Sequence, residues 1–272
     1  MWVFCCGMRR SGSTLQFQLA ARIAEEAGVG KRIEWVQPSD FPIVREKYKD
    51  YPGLKVFKSH VYTPEMGAEF QRQNAMGVYI YRDIRDAFVS QKNKNGSTFI
   101  AMWMQNFLEG AMDNYYKWTG LPRMLISKYE DVMPDLTKEV QRIAHHLGAN
   151  YDESKSRQIA DEYTLERQKE RIAASPKARL QHYKQATFDS TELLHVNHIS
   201  SGEIERWRKE LAPWQISLIE RNAGSWLTQN GYRLSGKELT YTEQIQASAT
   251  NSFARVWKAV YYGMRPSYSK GS

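Results

Sequence analysis

Short apolar runs alternate with helical repeats along the first half of the chain. Four of these runs hold few charged residues, as strands buried on both faces of a parallel sheet do. They lie at 2–6, 54–58, 77–81 and 124–127. Helices are predicted to begin near Ser13, Pro64, Asp83, Thr98 and Pro134. This alternation predicts an α/β fold with a doubly wound parallel sheet and helices on both faces.

The second half of the chain is predicted to be mostly helical. The charged segment 151–171 predicts one exposed helix. The following segment, 175–202, has Pro176 and few periodic apolar residues, which indicates a mobile loop or lid. Beyond it, apolar residues at helical spacing predict a helix that packs on the core. These are Trp207, Leu211, Trp214, Leu218, Ile219 and Trp226.

A last helical stripe lies near the C-terminus, with Arg255, Lys258 and Arg265 between its apolar positions. Its members are Phe253, Val256, Trp257, Val260, Tyr261 and Met264. We favour packing of this stripe against the protein's own core or a second subunit; contact with a membrane surface and cover over a substrate pocket are the alternatives. We therefore divide the chain into a domain at 1–236 and a tail at 237–272 that carries this amphipathic helix.

A glycine loop follows the first predicted strand and opens the first predicted helix. Gly7 and Gly12 have the spacing of a phosphate-binding P-loop, but Ser13 stands where that loop has lysine. Arg9 and Arg10 lie upstream instead, which favours an anion held by arginine and a helix N-terminus over a magnesium-bound triphosphate. The alternative is a solvated turn, since Gly/Ser turns of this kind are common.

The composition of the chain limits the classes of ligand that it is expected to bind. The chain has 272 residues and a formal net charge of +8, which favours anionic ligands such as phosphates, sulfates, nucleic acid or an acidic membrane face. We find no long apolar run and no signal peptide pattern, so the expected location is cytoplasmic. Cys5 and Cys6 are adjacent on a strand and would point to opposite faces, which predicts buried thiols rather than a disulfide or a zinc site.

Candidate chemistry follows two further strands, at the sheet edge where such folds bind ligands. Lys58 and His60 come after the second predicted strand, and His60 could accept a proton from a hydroxyl group. A lone histidine is more often structural. Arg82 ends the third predicted strand, and Ser90 lies about 12 Å further along the helix if that helix is continuous. Both could bind one anion if Arg82 reaches along the helix; the alternative is a salt-bridged helix start.

Several motifs together resemble the PAPS-dependent sulfotransferase family, whose donor is 3′-phosphoadenosine 5′-phosphosulfate. They are Arg-Ser-Gly-Ser-Thr at 10–14, Lys-Ser-His at 58–60, Tyr-Arg-Asp-Ile-Arg-Asp-Ala-Phe-Val-Ser at 81–90, and Tyr-Glu-Asp at 129–131. The resemblance extends through 202–232, where a Trp-Arg-x-x-Leu-x-Pro pattern and a Gly-Tyr pair occur. It implies a P-loop-like α/β fold over 1–236, the sulfotransferase domain.

The resemblance also implies site roles. His60 would be the general base, and Lys58 with Arg10 would stabilise charge on the transferring sulfuryl group, without a metal. The 5′-phosphosulfate would be bound by Arg10, Ser11, Gly12, Ser13 and Thr14. The 3′-phosphate would be bound by Arg82, Ser90, Ser200, Ser201 and Gly202. The products would be a sulfate ester and 3′-phosphoadenosine 5′-phosphate (PAP).

Three positions depart from the common cytosolic pattern of the family. Arg9 stands in place of a proline, and Leu15 replaces an adenine-contacting tryptophan. Residues 200–202 are Ser-Ser-Gly in place of Arg-Lys-Gly. We therefore expect the backbone or hydroxyl groups to make the contact with the 3′-phosphate there.

The acceptor would be an alcohol, a phenol or a lipid such as a glycolipid. Candidates to line its pocket are Phe99, Met102, Trp103, Phe107, Tyr115 and Trp118, although such residues at helical spacing are often core. We expect no nucleic acid partner; a peripheral membrane contact through the C-terminal helix and a homo-oligomer are further expectations. Two other functions stay open: a P-loop kinase using Mg-ATP, and a non-catalytic module that binds anions or membranes.

Overall fold

The computed structural model describes residues 1–174, 180–183, 186–194 and 202–263. Within these residues the chain forms two compact units. The first contains Met1–Arg82 and the described residues between 113 and 204, and the second contains Asp83–Met112 and the described residues from 205 to 263. Met264 of the predicted C-terminal stripe, the neighbouring Arg265, and residues 175–179, 184–185 and 195–201 of the predicted loop at 175–202 lie outside the described residues.

A five-stranded parallel sheet forms the first unit's centre, in the order β2-β3-β1-β4-β5. Its strands are β1 (Trp2–Gly7), β2 (Gly30–Trp35), β3 (Leu54–Lys58), β4 (Ala75–Tyr81) and β5 (Met124–Lys128). The four predicted strands are confirmed. The sequence pattern missed β2, because this edge strand carries Lys31, Arg32 and Glu34 and does not form the apolar run of a central strand.

Both units contain helices. The first unit has α1 (Ser13–Glu26), α2 (Phe41–Lys47), α3 (Pro64–Gln71), α7 (Tyr129–Val132), α8 (Leu136–His146), α9 (Glu153–Glu162) and α10 (Leu165–Ala173), with a short 3-10 helix at Pro38–Asp40. The second has α4 (Ile84–Lys94), α5 (Phe99–Trp103), α11 (Trp207–Glu210), α12 (Pro213–Gln229) and α13 (Tyr241–Gly263). Helix α6 (Phe107–Thr119) passes along the chain from the second unit into the first.

The sheet has a core on each face. Successive residues of β1 point to opposite faces, so Val3 and Cys5 pack with α1 and α8, while Phe4 and Cys6 pack with α2 and α3. Cys5 and Cys6 are thus buried free thiols on opposite sides of the strand, as predicted. Burial raises the pKa of each thiol well above its ordinary value. The doubly wound α/β fold is confirmed.

Two predictions for the second half are wrong. The segment 151–171 is not one exposed helix, because α9 ends at Glu162 and the Thr164 hydroxyl accepts the N–H of Arg167 to begin α10. Ile159 in α9 is buried. The segment 175–202 is not simply a loop, since β6 (Leu180–Tyr183) pairs antiparallel with β7 (Ala186–Asp189).

Helix α13 differs from its predicted orientation. It packs on α12 with Ala247 and Ala254 buried, and its Lys258 ammonium pairs with Glu109 at 2.6 Å. The apolar stripe does not pack against the described core, since Phe253 is 64% exposed and Val256 is 66% exposed. In the described part of the chain, no helix is both long enough and apolar enough to cross a membrane.

A buried carboxylate joins three elements of the first unit. Glu139 of α8 accepts hydrogen bonds from Gln16 of α1 at 2.9 Å, from Ser127 of β5 at 2.6 Å and from Arg142 at 2.6 Å. Glu139 is only 1% exposed. These bonds fix the helix after the glycine loop against the sheet, because a buried charge is tolerated only where its oxygens are satisfied.

Glu139→Ala should lower the free energy of unfolding by about 3 kcal/mol, because it leaves the buried donors of Gln16 and Ser127 without a partner. The measurement is urea denaturation of the purified protein. The matched control is Glu153→Ala, whose carboxylate pairs with Arg157 on the exposed surface. The control should change the free energy by no more than about 0.5 kcal/mol. Equal losses in the two variants would contradict the assignment.

Candidate active site

The glycine loop after β1 is held against the neighbouring strand β4. The Ile80 carbonyl accepts the Met8 N–H at 2.9 Å and the Ser11 hydroxyl at 2.9 Å. Gly7 has no room for a side chain, since a Cβ there would lie 2.9 Å from that same carbonyl oxygen. Arg10 and Gly12 both have left-handed backbones, with φ of 70° and 89°. The loop therefore turns sharply between β1 and α1.

Helix α1 begins at this loop with its N-terminal N–H groups in a fixed position. Gly12 precedes the helix, and among the described residues no side chain caps it. The first turn also contains no acidic residue. A helix N-terminus of this kind presents N–H donors and the positive end of the helix dipole to an anion.

Lys58 brings the end of β3 to the same loop. Its ammonium donates to the Thr14 hydroxyl at 2.5 Å and lies 5.9 Å from the centre of the Trp35 ring. The side chain is buried, as is Ser59 beside it. The Ser59 hydroxyl has no hydrogen-bond partner among the described residues. This hydroxyl could therefore donate a hydrogen bond to a ligand, or accept one from it, next to the loop.

His60 is oriented by its contact with the end of β1. Its Nδ1 lies 3.1 Å from the Gly7 carbonyl oxygen, and its ring lies 5.2 Å from that of Trp35. Because a carbonyl can only accept, Nδ1 must carry the hydrogen in this contact. In the neutral imidazole, Nε2 then has the lone pair that can take up a proton.

Two side chains of α6 fix the backbone of His60. Asn114 donates to the His60 carbonyl at 2.7 Å and accepts the Tyr62 N–H at 3.0 Å. The Trp118 indole donates to the same carbonyl at 3.3 Å. The residues on either side of Val61 are therefore held by one amide, which limits movement of the imidazole.

Arg82, at the end of β4, also turns toward the loop. Its guanidinium donates to the Arg10 carbonyl at 3.4 Å and to the Glu203 carbonyl at 3.2 Å. It also lies over the Tyr129 ring, 4.4 Å from the ring centre. Burial, and secondarily the charge of Arg82, lower the pKa of Arg10. The site therefore has a positive potential that favours an anionic ligand.

Gly202 lies beside these groups in the first unit. Its carbonyl accepts the Tyr129 hydroxyl at 3.3 Å, and its φ of 72° is in the left-handed region that favours glycine. The structure thus brings Gly202 together with Tyr129, and the adjoining Glu203 with Arg82. Ser200 and Ser201 lie outside the described residues.

The structure places Ser90 in the second unit, buried within α4. The beginning of that helix is salt-bridged, as the alternative prediction had it: Asp83 accepts the Arg85 N–H at 2.9 Å, and its carboxylate pairs with the Arg85 guanidinium at 2.6 Å. Glu220 pairs with the same guanidinium at 2.5 Å. The Arg82 guanidinium contacts the glycine loop and is not part of this salt-bridged helix start.

Four of the six predicted pocket residues are buried. Phe99 and Trp103 stack on each other at 5.8 Å within the second unit, and both are buried. Trp118 is fully buried in the first unit's core and uses its indole for the His60 backbone. These contacts favour the core alternative for those three residues.

Sequence reasoning missed Trp35, Asn114 and the orienting role of Tyr129. The role of Tyr129 could have been found from the sequence, since this residue directly follows β5, where a parallel sheet binds its ligands. Trp35 ends a strand that was not predicted, and Asn114 lies within an ordinary amphipathic helix. In the described part of the chain, no group of three or more His, Cys, Asp or Glu side chains could hold a metal ion.

Comparison with known proteins gives a consistent set of relatives. A family model described as "Sulfotransferase domain" matches residues 3–231. Human Sulfotransferase 1C2 is 25% identical over 51% of this chain and 52% of its own length. The rabbit (Oryctolagus cuniculus) Sulfotransferase 1C2 is 22% identical over 61% of this chain and 64% of its own length. The alignments thus span only part of these relatives.

Solved structures share the fold. Mouse sulfotransferase SULT7A1 complexed with PAP has a TM-score of 0.62 at 16% identity, covering 93% of this chain and 88% of that one. Retinol dehydratase in a complex with retinol and PAP has a TM-score of 0.56 at 20% identity, covering 88% of this chain and 83% of that one. Because the family model extends over far more than half of the residues, this chain belongs to the sulfotransferase family.

Proposed function

We propose that this protein transfers a sulfuryl group from PAPS to the hydroxyl of an organic acceptor. The observation that carries the proposal is the convergence of an uncapped helix N-terminus, a lysine, an arginine and an oriented histidine at one edge of the sheet. When bound, PAPS supplies the sulfuryl group and leaves as PAP. The family membership and the PAP-bound structures with the same fold support this choice.

The residues present fit a donor with two separate anionic groups. The N–H groups at the start of α1, with Ser11, Gly12, Ser13 and Thr14, would bind the 5′-phosphosulfate. Arg82 would bind the 3′-phosphate, and Gly202 with Tyr129 would hold that side of the site. Ser90, Ser200 and Ser201 stay predicted contacts to the same phosphate. Charge-assisted bonds from arginine to phosphate are among the strong hydrogen bonds.

His60 would act as the general base. The acceptor oxygen would form a bond to sulfur as the bond between that sulfur and the phosphate oxygen of the PAP leaving group breaks, and the acceptor proton would move to Nε2, the ring nitrogen that carries no hydrogen in the Gly7 contact. Lys58 and Arg10 would stabilise the negative charge that develops on the transferring group and on the departing oxygen. The Thr14 contact holds the Lys58 ammonium at the loop for this role.

The acceptor in this proposal is a small molecule or lipid that carries an alcohol or phenol. The retinol and androsterone of the retinol dehydratase complexes are both apolar alcohols, which supports that class. The aromatic ring of Trp35 beside His60 would give such an acceptor an apolar contact. Further parts of the proposal are a cytoplasmic location, self-association of the chain, a peripheral membrane contact and the absence of a nucleic acid partner.

His60→Ala should lower kcat by about 100-fold or more, the range typical of losing a general base, while PAP binding stays unchanged. The measurement is sulfate ester formation at saturating PAPS, with PAP affinity from calorimetry. His145→Ala is the matched control, since that histidine is exposed on α8, and it should keep wild-type turnover. Wild-type turnover in His60→Ala would remove this residue from the mechanism.

PAP should raise the thermal midpoint of the wild type, and Mg-ATP should not. A ligand at 100 times its dissociation constant stabilises the folded state by about 2.7 kcal/mol, which is readily seen as a shift. Arg82→Ala should abolish most of the PAP shift, measured relative to its own ligand-free midpoint. Arg167→Ala, which removes an exposed arginine of α10, should leave the shift intact.

The same thermal series separates the rival functions. An Mg-ATP shift equal to or larger than that of PAP would mean that the donor is a nucleoside triphosphate and the chain is a kinase. No shift with either ligand would favour the non-catalytic module. A PAP shift preserved in Arg82→Ala would show that the 3′-phosphate is held elsewhere.

Asn114→Leu should lower kcat by about ten-fold with little change in PAP affinity, because it removes the bonds of Asn114 to the His60 carbonyl and the Tyr62 N–H, leaving only the longer Trp118 bond to that carbonyl. Steady-state kinetics and PAP titration together test this positioning role. Asn222→Leu is the control, since that residue is exposed and its amide donates to the Leu218 carbonyl of its own helix. A parallel loss of kcat and of PAP affinity would indicate general disruption instead.

A further inference from the structure

The indole of Trp35 lies beside both of the polar side chains that follow β3. Its ring centre is 5.2 Å from that of the His60 imidazole and 5.9 Å from the Lys58 ammonium. The side chain also packs against the core cluster that contains Val3 and Cys5. Trp35 is thus an apolar group next to the two residues to which the proposed reaction assigns proton transfer and charge stabilisation.

Backbone pairing places Trp35 on Lys58. The two residues are direct partners across β2 and β3, so their side chains lie on the same face of the sheet. Immediately after Trp35, the Val36 N–H donates to the Lys58 carbonyl at 3.0 Å. The register shifts between Arg32 and Trp35, and irregularities of this kind turn a side chain toward a functional site. The geometry of this edge strand therefore determines where the indole lies.

The Lys58 side chain is buried although it is a cation. Lys58 is only 6% exposed, whereas Trp35 is partly exposed. An ammonium group is strongly hydrated in water, and an aromatic ring within about 6 Å replaces part of that hydration. The indole therefore helps to cover the ammonium and occupies space that water would otherwise take beside it.

Water competes with the acceptor for the sulfuryl group. In that side reaction the water oxygen would bond to sulfur as the bond from sulfur to the phosphate oxygen of PAP breaks. One proton of that water would move to Nε2 of His60, leaving hydrogen sulfate and PAP. His60 and Lys58 would assist this reaction as well as the transfer to an alcohol, so neither residue selects the acceptor. Exclusion of water from the pair requires apolar groups next to it.

We propose that Trp35 is a specificity-determining residue, which keeps water away from His60 and Lys58 so that the sulfuryl group passes to an apolar acceptor. The exposed part of the indole would contact the carbon frame of that acceptor and complete the exclusion of water. The inference rests on the proposed function, because it concerns competition for the same sulfuryl group. It adds a residue that discriminates between acceptors to the residues that carry out the transfer.

PAPS hydrolysis without any acceptor tests the proposal on the whole protein. Trp35→Ala should release inorganic sulfate from PAPS about ten-fold faster than the wild type, because water then reaches the pair. Trp35→Phe should hydrolyse PAPS at close to the wild-type rate, since it keeps an aromatic ring. The measurement is sulfate release from radiolabelled PAPS, with PAP affinity from calorimetry. That affinity should be equal in all three proteins.

Trp257→Ala is the matched control, because it removes a tryptophan that is 45% exposed on α13. It should leave the hydrolysis rate unchanged. Trp35→Gln keeps more of the side-chain volume but admits water, so it should also raise hydrolysis, even where Trp35→Ala folds poorly. Trp35→Ala combined with His60→Ala should lose the excess hydrolysis, because that excess depends on His60 as the base.

Two results would overturn the proposal. The first is equal hydrolysis in the wild type and Trp35→Ala at equal PAP affinity, which would leave the sulfuryl transfer itself intact. The second is excess hydrolysis that persists when His60 is also replaced, because water would then reach sulfur without using the pair. A wild type that binds no PAP would instead contradict the proposed function, and it would remove the basis of this inference as well.

Discussion

The carbonyl of Ile80 is the point on which the candidate site depends. It accepts both the Met8 N–H and the Ser11 hydroxyl, so β4 holds the loop that follows β1. The contact requires glycine at position 7, since a Cβ would lie 2.9 Å from that oxygen. Once the loop is fixed, the start of α1 is fixed with it. Lys58 at the end of β3 and Arg82 after β4 then contact this fixed loop, through the Thr14 hydroxyl and the Arg10 carbonyl.

Backbone carbonyl groups orient the His60 and Arg82 side chains of the candidate site. The Gly7 carbonyl selects the histidine tautomer, and the carbonyls of Arg10 and Glu203 direct the Arg82 guanidinium. Such partners set the direction of these side chains through partial charges, since a carbonyl oxygen can only accept a hydrogen bond. Burial and the nearby charge of Arg82 lower the pKa of Arg10. An anion bound beside these two cations would offset both effects, because it stabilises the charged form of each arginine.

The sequence predicts those features that one element determines alone. β1, β3, β4 and β5 are apolar because the sheet is covered on both faces, and Lys58, His60 and Arg82 are recognisable because they lie at strand ends. β2 was missed because an edge strand tolerates the charges of Lys31 and Arg32. Asn114 was missed for a different reason: its two bonds join α6 to a loop more than fifty residues earlier, and no periodic pattern encodes such a pair.

Helix α13 has the predicted apolar stripe, but that stripe does not pack against the described core. The apolar stripe was recognisable from its spacing, but spacing does not say which face of a helix meets the protein. The face with Ala247 and Ala254 packs on the protein, because small side chains let two helices approach closely. The ion pair of Lys258 with Glu109 further stabilises this packing. Large apolar groups then remain in water, an arrangement that is unfavourable for an isolated chain in solution.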